Sequence, residues 1–291
     1  MGKAAQARER TAREKIAVQR AAERRRAAVR RRLMIMGGSL FVVAALVIGF
    51  VVVRAGQKPP AAAGSATNTQ IAKEIGSVPA TTFDAIGKGN ATGLKAVSGP
   101  ELTQDGKPEV LYMGGEYCPY CAAERWVIAT ALGRFGTLSA PKLIHSSPTD
   151  VYANTPTLSF AGSSYTSKYV AFSPVEWYGE AADPSTPFGH VYFQHPTTQE
   201  VALFNQYGGN SVPFVDIANR YVVPGAQYLP SDLAGLTWSQ IAADLKSPSS
   251  TVAKDIDGAA NVITAALCKV TNGQPGNVCS SAGVKAAAGS L

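Results

Sequence analysis

Two of the four cysteines are separated by only two residues, in the sequence Cys-Pro-Tyr-Cys at positions 118–121. The apolar run before Cys118 predicts a strand and the run after it predicts a helix, so the pair would stand at the start of that helix. Unpaired N–H groups at a helix N-terminus stabilise a thiolate. We therefore expect Cys118 to be the nucleophile and Cys121, one turn further along, to be the resolving thiol of a dithiol that can cycle.

Three other interpretations of this pair stay open: a permanent disulfide, half of a zinc site, or a copper site. Zinc takes four ligands, and the further candidates are three histidines and two distant cysteines, without an H-x-x-x-H or a second CxxC motif. The sequence therefore favours no metal and no cofactor at the pair. We expect His145, His190 and His195 to be ordinary strand or loop residues.

The other two cysteines, Cys268 and Cys279, stand further apart in the chain. Cys268 ends a predicted helix, and the loop TNGQPGNV, which contains Gly and Pro, can fold the chain back toward it. In an exported protein an even number of cysteines usually means disulfides. We expect a structural disulfide between these two; the alternative is a second redox pair that relays electrons to Cys118 and Cys121.

An uncharged apolar run, LMIMGGSLFVVAALVIGFVVV, covers residues 33–53. As a helix it would be about 31 Å long, close to the thickness of the hydrocarbon part of a bilayer. Residues 1–32 hold 12 of the 27 Lys+Arg and three of the 20 Asp+Glu, so this segment carries +9 and the rest of the chain −2. The more basic side of a membrane helix faces the cytoplasm. We expect a retained single-pass anchor in the cell membrane with a cytoplasmic N-terminus; the alternative is a signal peptide cleaved near residues 61–63.

The segments around the apolar run complete this organisation. Residues 1–32 are rich in helix formers, and a basic cytoplasmic helix beside anionic lipid headgroups explains them more simply than nucleic-acid binding does. Residues 54–70 are small and contain proline, which predicts a linker. The chain is 46% apolar and 16% charged, which excludes a disordered protein. We predict one extracytoplasmic domain over residues 71–291, with no nucleic-acid partner.

The order of the predicted elements indicates an α/β mixed sheet with helices on both faces. The apolar run PEVLYM at 108–113 predicts a strand, and the helix after it has an apolar stripe up to Phe135. Further predicted strands are Leu94–Val97, Lys142–His145, Thr157–Ala161, Val201–Tyr207, Phe214–Ile217 and Tyr221–Val223, and further predicted helices are Gln70–Ile75, Thr237–Leu245 and Ser250–Val270. Residues 146–200 are rich in Ser, Thr, Tyr and Pro, which predicts an irregular insertion with short strands. Pro213 fits a strand start or a cis turn, because proline cannot donate to a sheet ladder.

The strand–CPYC–helix arrangement, together with Val212-Pro213, resembles the thioredoxin superfamily. In that fold a cis-proline loop packs beside the CxxC motif, and the peptide group before the proline pairs with bound substrate. The resemblance implies a catalytic role for Pro213 and substrate contacts for Val212, Pro119 and Tyr120. The long interval before Pro213 is similar to the insertion of DsbA-like proteins. It implies a thioredoxin-like mixed sheet flanked by helices, with an insertion, preceded by a single transmembrane helix.

One position departs from the pattern of that superfamily. Thioredoxin and DsbA place a buried acid six residues before the first cysteine, where it moves protons during exchange. Tyr112 stands at that position here. Glu116 and Glu124 are close in sequence, but neither is at the matching place.

A longer string, GGEYCPYCAAERWVI…RFG, is similar to the family of membrane-anchored thioredoxin-like proteins known as domain of unknown function 929. This resemblance covers most of residues 71–285. It supplies no activity, so the expected function rests on the chemistry of the cysteines.

These observations predict a membrane-anchored thiol–disulfide oxidoreductase that acts on exported proteins through the dithiol at 118–121. Its partners would be thiols or disulfides of exported proteins and a second membrane protein that regenerates the dithiol, since this chain encodes no multi-span electron carrier. The direction of electron flow stays open. The alternative function is a non-catalytic thioredoxin-like module that assembles with a membrane protein complex.

The charge difference across residues 33–53 predicts that the C-terminal domain lies outside the cytoplasm. A reporter enzyme that is active only outside the cytoplasm, fused after Leu291, should therefore be active. An inactive reporter in a well-expressed fusion would contradict both the orientation of the anchor and the compartment expected for the cysteines.

Overall fold

The computed structural model describes residues 65–139 and 141–291. The predicted basic helix, the predicted transmembrane segment and most of the predicted linker lie outside the described residues. Within the part that is described, no helix is long and apolar enough to cross a membrane. The first described helix begins at Ser65, inside the segment for which the sequence predicts a linker.

The described residues contain eight α-helices and eleven strands. The helices are α1 (Ser65–Gly76), α2 (Ala80–Ile86), α3 (Pro119–Leu132), α4 (Thr198–Tyr207), α5 (Trp238–Asp244), α6 (Thr251–Val270), α7 (Gly276–Cys279) and α8 (Ala282–Ala287). The strands are β1 (Lys95–Ala96), β2 (Thr103–Gln104), β3 (Lys107–Gly115), β4 (Gly136–Ser139), β5 (Lys142–His145), β6 (Pro156–Ser159), β7 (Ser164–Ser167), β8 (Ala171–Ala182), β9 (His190–Tyr192), β10 (Phe214–Ile217) and β11 (Tyr221–Pro224).

Seven strands form one mixed sheet, in the order β1-β11-β10-β3-β8-β9, with β2 paired to the start of β3. The neighbours β3 and β8 are parallel, whereas β10 runs antiparallel on the other side of β3. Two further two-stranded antiparallel sheets, β4-β7 and β5-β6, belong to the segment between α3 and β8. Strand β3 therefore lies inside the sheet, between β10 and β8. The first cysteine pair follows shortly after its C-terminal end.

Both faces of the sheet are covered by helices. Along β3, Val110 and Tyr112 belong to the apolar cluster that contains α3 and α6, while Leu111 and Met113 belong to a second cluster that contains α4. This is the alternation expected of a strand with two buried faces. The prediction of a mixed sheet flanked by helices is therefore confirmed.

One predicted strand was wrong, because residues 201–207 belong to α4. This helix begins with a capping box: the Thr197 hydroxyl accepts from the Glu200 N–H, and the Glu200 carboxylate accepts from the Thr197 N–H. Leu203 and Phe204 are its buried side chains and pack against the sheet. The Thr-x-x-Glu signal thus outweighs the strand-like composition of the sequence VALFNQY.

The helix α6 packs against α3, which carries the first cysteine pair, and its end is cross-linked. A disulfide joins Cys268 near the end of α6 to Cys279 at the end of α7, with their Cα atoms 5.5 Å apart. In the middle of α6 a glycine permits close packing, since a Cβ on Gly258 would lie 2.5 Å from the Lys88 carbonyl oxygen. These contacts fix the position of α6, which packs against α3.

Glu124 on α3 and Asp257 on α6 are fully buried in this helical layer, and neither has an ion-pair partner among the described residues. Glu124 accepts one hydrogen bond, from the Gln227 N–H at 3.1 Å. Burial raises the pKa of each carboxyl group to about 8, although the hydrogen bond to Glu124 and the charge of Arg134 near Asp257 act in the other direction. Both groups therefore keep their protons at neutral pH in the folded protein.

These two groups predict that the protein loses stability as the pH rises from about 4 to about 8. Over that range the unfolded chain has released the two protons and the folded chain still binds them, so rising pH favours unfolding. Glu124→Gln and Asp257→Asn should each flatten the dependence by more than about 1 kcal/mol, measured as the free energy of urea unfolding at pH 5 and pH 8. The exposed control Glu101→Gln should keep the wild-type dependence. An unchanged slope in both buried variants would contradict the assignment.

Candidate functional site

Cys118 lies in the connection between β3, which ends at Gly115, and α3, which begins at Pro119. It is the N-cap of α3, and its Sγ accepts a hydrogen bond from the Cys121 N–H at 3.1 Å. Pro119 occupies the first position of the helix, where the missing N–H of proline costs no hydrogen bond. Both cysteines are free thiols, and Cys118 is 5% exposed while Cys121 is fully buried.

Two glycines make the tight connection from β3 to Cys118 sterically feasible. A Cβ on Gly114 would lie 2.1 Å from the Tyr112 hydroxyl, and one on Gly115 would lie 2.7 Å from the ring of Tyr117. The register between β3 and β8 shifts at this point. Both backbone groups of Gly115 are hydrogen-bonded to the cysteines: its N–H donates to Cys121 Sγ at 3.5 Å, and its carbonyl accepts from the Cys118 N–H at 3.2 Å.

The two thiols differ in acidity. Burial raises the pKa of the Cys118 thiol, but the hydrogen bonds from the thiol and the backbone N–H of Cys121, together with the charge of Arg125, outweigh burial and lower that pKa below its ordinary value. Burial raises the pKa of the Cys121 thiol well above its ordinary value, and the neighbouring Cys118 raises it further. Cys118 is therefore the sulfur that ionises first.

The loop before β10 brings a distant segment to the first cysteine. The Val212-Pro213 peptide bond is cis, and the Val212 carbonyl oxygen lies 3.8 Å from Cys118 Sγ. Both residues are buried. The antiparallel pairing of β10 with β3, which aligns Phe214 with Met113, holds this loop beside the cysteines.

Two tyrosines that flank Cys118 in the chain, Tyr117 and Tyr120, each contact another aromatic ring. Tyr120 is 37% exposed, and its ring meets that of Tyr152 edge to face with the ring centres 5.7 Å apart. Tyr117 is stacked on His190, with the ring centres 3.6 Å apart and the planes 9° from parallel. Of the residues between the cysteines, Tyr120 is thus presented to solvent, while Pro119 is buried.

A buried ion pair that the sequence did not predict lies next to the cysteines, between α3 and β8. Arg125 donates from Nε and Nη2 to the two carboxylate oxygens of Glu176, at 2.9 and 2.6 Å, and neither side chain is exposed. The same Nη2 donates to the Gly115 carbonyl at 2.7 Å. The four-residue spacing between Cys121 and Arg125 on one helix is a signal that could have found the arginine. Nothing in the irregular composition around Glu176 marks it.

The two acids that are close to Cys118 in sequence, Glu116 and Glu124, make no hydrogen bond to either cysteine. The Glu116 carboxylate accepts from the Ser159 hydroxyl at 2.5 Å, and the Glu124 carboxyl accepts from the Gln227 N–H. Tyr112 is fully buried, with its hydroxyl unpaired among the described residues, and burial raises its pKa well above the ordinary value. The position six residues before Cys118 therefore holds a group that stays neutral.

The three histidines are strand or loop residues: His145 is in β5, His190 is in β9, and His195 is in the loop before α4. His145 packs against the ring of Trp238, and His190 contacts Tyr117 and has its Nδ1 3.0 Å from the Glu180 carbonyl oxygen. Over residues 65–139 and 141–291, no group of three or more His, Cys, Asp or Glu side chains is arranged to hold a metal ion.

Comparisons with known proteins identify a family for this chain. No curated protein gives a significant match. No solved structure gives a significant match either. The family model described as Domain of unknown function (DUF929) matches residues 94–269, which include both cysteines of the CPYC motif and the Val212-Pro213 loop. This match covers more than half of the chain, and the protein therefore belongs to the DUF929 family.

Proposed function

We propose that this protein is a membrane-anchored thiol–disulfide oxidoreductase with a thioredoxin-like domain, acting outside the cytoplasm on exported proteins. The observation that carries the proposal is the environment of Cys118 Sγ. It accepts a hydrogen bond from the first turn of α3, its thiol is the more acidic of the pair, and it lies beside the Val212 carbonyl. These are the features that a nucleophilic sulfur and its substrate groove require.

The topology supports the thioredoxin-like assignment. The CPYC motif joins β3 to α3, β8 runs parallel to β3, and the β10-β11 hairpin follows a cis-proline on the other side of β3. Helices cover both faces of this sheet. The segment between α3 and β8, with its two small sheets, supports an insertion at this point of the fold, whereas β8 itself belongs to the main sheet.

The reaction follows from the two acidities. In the reducing direction the Cys118 thiolate attacks a substrate disulfide, forms a mixed disulfide and releases one substrate thiolate, which takes up a proton. The Cys121 thiol then gives up its proton, attacks Cys118 Sγ and releases the second substrate thiolate. Two electrons pass from the cysteine pair to the substrate. The reverse sequence oxidises two substrate thiols.

The other parts of the proposal rest on the sequence. The apolar segment 33–53 would anchor the domain, and the basic segment 1–32 would lie against anionic lipid headgroups. A second membrane protein would regenerate the pair after each cycle. The exposed Tyr120 and the backbone of Val212 would contact the substrate chain beside Cys118.

Two observations favour a second candidate function. Cys118 is only 5% exposed, and Tyr112 stands where thioredoxin-like enzymes place a proton-accepting acid. Both features suit a non-catalytic thioredoxin-like module that assembles with a membrane protein complex. Reactivity of the two sulfurs separates the two functions.

The difference in acidity predicts a difference in alkylation. In the reduced full-length protein near pH 7, Cys118 should react with iodoacetamide at least about tenfold faster than Cys121, because an ordinary thiol is only a few per cent ionised there. The alkylation rate at Cys118 should reach half of its maximum at a pH below the pKa of an ordinary thiol. Mass spectrometry of timed samples measures both rates, with Cys118→Ser as the control for Cys121. Equal slow rates at both sites would favour the assembly module.

The order of attack predicts which variant traps partners. Cys121→Ser keeps the nucleophile and removes the resolving thiol, so it should accumulate mixed disulfides with exported proteins. Cys118→Ser is the matched control and should accumulate none. Non-reducing gels followed by reduction reveal the trapped species. If Cys121→Ser traps no more than the control, the oxidoreductase function is refuted.

A further inference from the structure

Arg125 shares one face of α3 with both cysteines. Cys118, Cys121 and Arg125 follow one another at spacings of three and four residues, which places them along one side of a helix. The arginine is fully buried, and among the described residues its Nη1 has no hydrogen-bond partner. A buried guanidinium group is costly unless a counter-ion and hydrogen bonds compensate it, so its place here calls for an explanation.

Glu176 supplies the compensation from the neighbouring strand. The parallel register of β8 with β3 aligns Glu176 with Gly114, which brings its carboxylate to Nε and Nη2 of Arg125. One carboxylate oxygen also accepts from the Phe160 N–H at 3.0 Å. Burial acts to lower the pKa of Arg125, but the charge and hydrogen bonds of Glu176, together with the neighbouring Tyr112 and Cys121, raise that pKa well above its ordinary value, so the cation is permanent.

The positive charge of this ion pair acts on both sulfurs. The charge of Arg125 lowers the pKa of the Cys118 thiol and of the Cys121 thiol. Arg125 also holds the Gly115 carbonyl, and Gly115 is hydrogen-bonded to both cysteines. The arginine thus combines a fixed charge with a hold on the strand end that orients the thiols.

We propose that Arg125, oriented by Glu176, is a positioning residue that sets the thiol–disulfide equilibrium of the 118–121 pair by placing a permanent positive charge beside its sulfur atoms. The proposal rests on the oxidoreductase function and gives it a direction. A cation at this place stabilises the form with a thiolate, which is the reduced form. The disulfide form is then the stronger oxidant of substrate thiols.

The electron balance makes the direction explicit. The disulfide of the pair reacts with two substrate thiols, which become a substrate disulfide and supply two electrons. The products on the enzyme are the Cys118 thiolate and the Cys121 thiol, and one proton is released to solvent. Since only the product state carries a negative sulfur, the charge of Arg125 favours the products.

The other ionisable groups near the sulfurs do not supply this charge. Tyr112 and Tyr117 stay neutral because burial raises the pKa of each phenol. Glu116 is adjacent in sequence and is held by the Ser159 hydroxyl. Asp150, from the insertion, acts on Tyr117 and would oppose a thiolate. Arg125 is thus the cation among the groups that act most strongly on Cys118.

Charge variants give results of opposite sign. The double variant Arg125→Met/Glu176→Gln removes the cation and keeps the site neutral, so the Cys118 pKa should rise and the equilibrium with glutathione should shift about tenfold toward the disulfide. Glu176→Gln alone leaves the cation without its counter-ion and should shift the equilibrium toward the thiols. Arg125→Lys keeps the charge and should stay within about threefold of wild type. Glu124→Gln, on the same helix, is the matched control and should change neither quantity.

The measurements are the pH profile of Cys118 alkylation and the oxidised fraction in glutathione buffers, both on the full-length protein, with thermal unfolding as the check of folding. A folded double variant with wild-type values of both quantities overturns the proposal. If the double variant does not fold, Glu176→Gln decides, and a shift toward the disulfide or no shift overturns it. A purely structural role for the arginine would move Arg125→Lys as far as the double variant.

These readouts need no protein substrate, so they separate the two proposals. Shifts of the predicted signs in a protein whose Cys121→Ser variant traps no partner refute the oxidoreductase function and leave the charge effect in place. Trapped partners without the shifts refute the role of Arg125 alone.

Discussion

The first N–H groups of a helix have no partner within the helix, and in α3 a sulfur atom accepts a hydrogen bond from one of them. Oxygen-bearing side chains usually take this place, because a neutral thiol is a weak acceptor. Cys118 accepts from the Cys121 N–H, and it does so best as a thiolate. The start of the helix and the acidity of the first cysteine are therefore one interaction, on which the chemistry of the site depends.

Long-range strand pairing assembles the remainder of the site around that sulfur. The pairing of β10 with β3 holds the loop before β10 next to the first cysteine. The Val212 carbonyl oxygen in that loop lies 3.8 Å from Cys118 Sγ, although the two residues are 94 positions apart in the chain. Strand β8 carries Glu176 to Arg125 from the opposite side of β3. Since β3 and β8 are parallel, their carboxyl ends meet at the same edge of the sheet, where α/β proteins commonly place their functional groups.

Local signals predicted the elements that hold the cysteines. The apolar run before Cys118 is β3, and the CPYC motif opens a helix, because the length of the apolar run, Pro at the first helical position and the apolar spacing of the helix all agree there. The prediction for residues 201–207 was wrong because a short apolar run suits a strand or a helix, and the capping residues Thr197 and Glu200 decide it.

The buried ion pair could not be predicted in full, for a different physical reason. Arg125 reads as a surface residue of a helix by composition, and only the register between β3 and β8 reveals that Glu176 compensates its burial. Sequence spacing identifies residues that share one element. It does not identify partners that lie 51 positions apart in the chain and that a parallel strand pairing brings together.

The central claim is that the 118–121 pair exchanges electrons with protein thiols and is not a fixed cross-link. The equilibrium of the full-length protein with glutathione buffers of known composition tests it most directly, with thiol trapping and mass spectrometry to count the reduced fraction of this pair. The account predicts reversible exchange at a potential above about −300 mV, in the range of catalytic pairs. A pair that stays oxidised below about −300 mV, or that does not equilibrate at all, would contradict it.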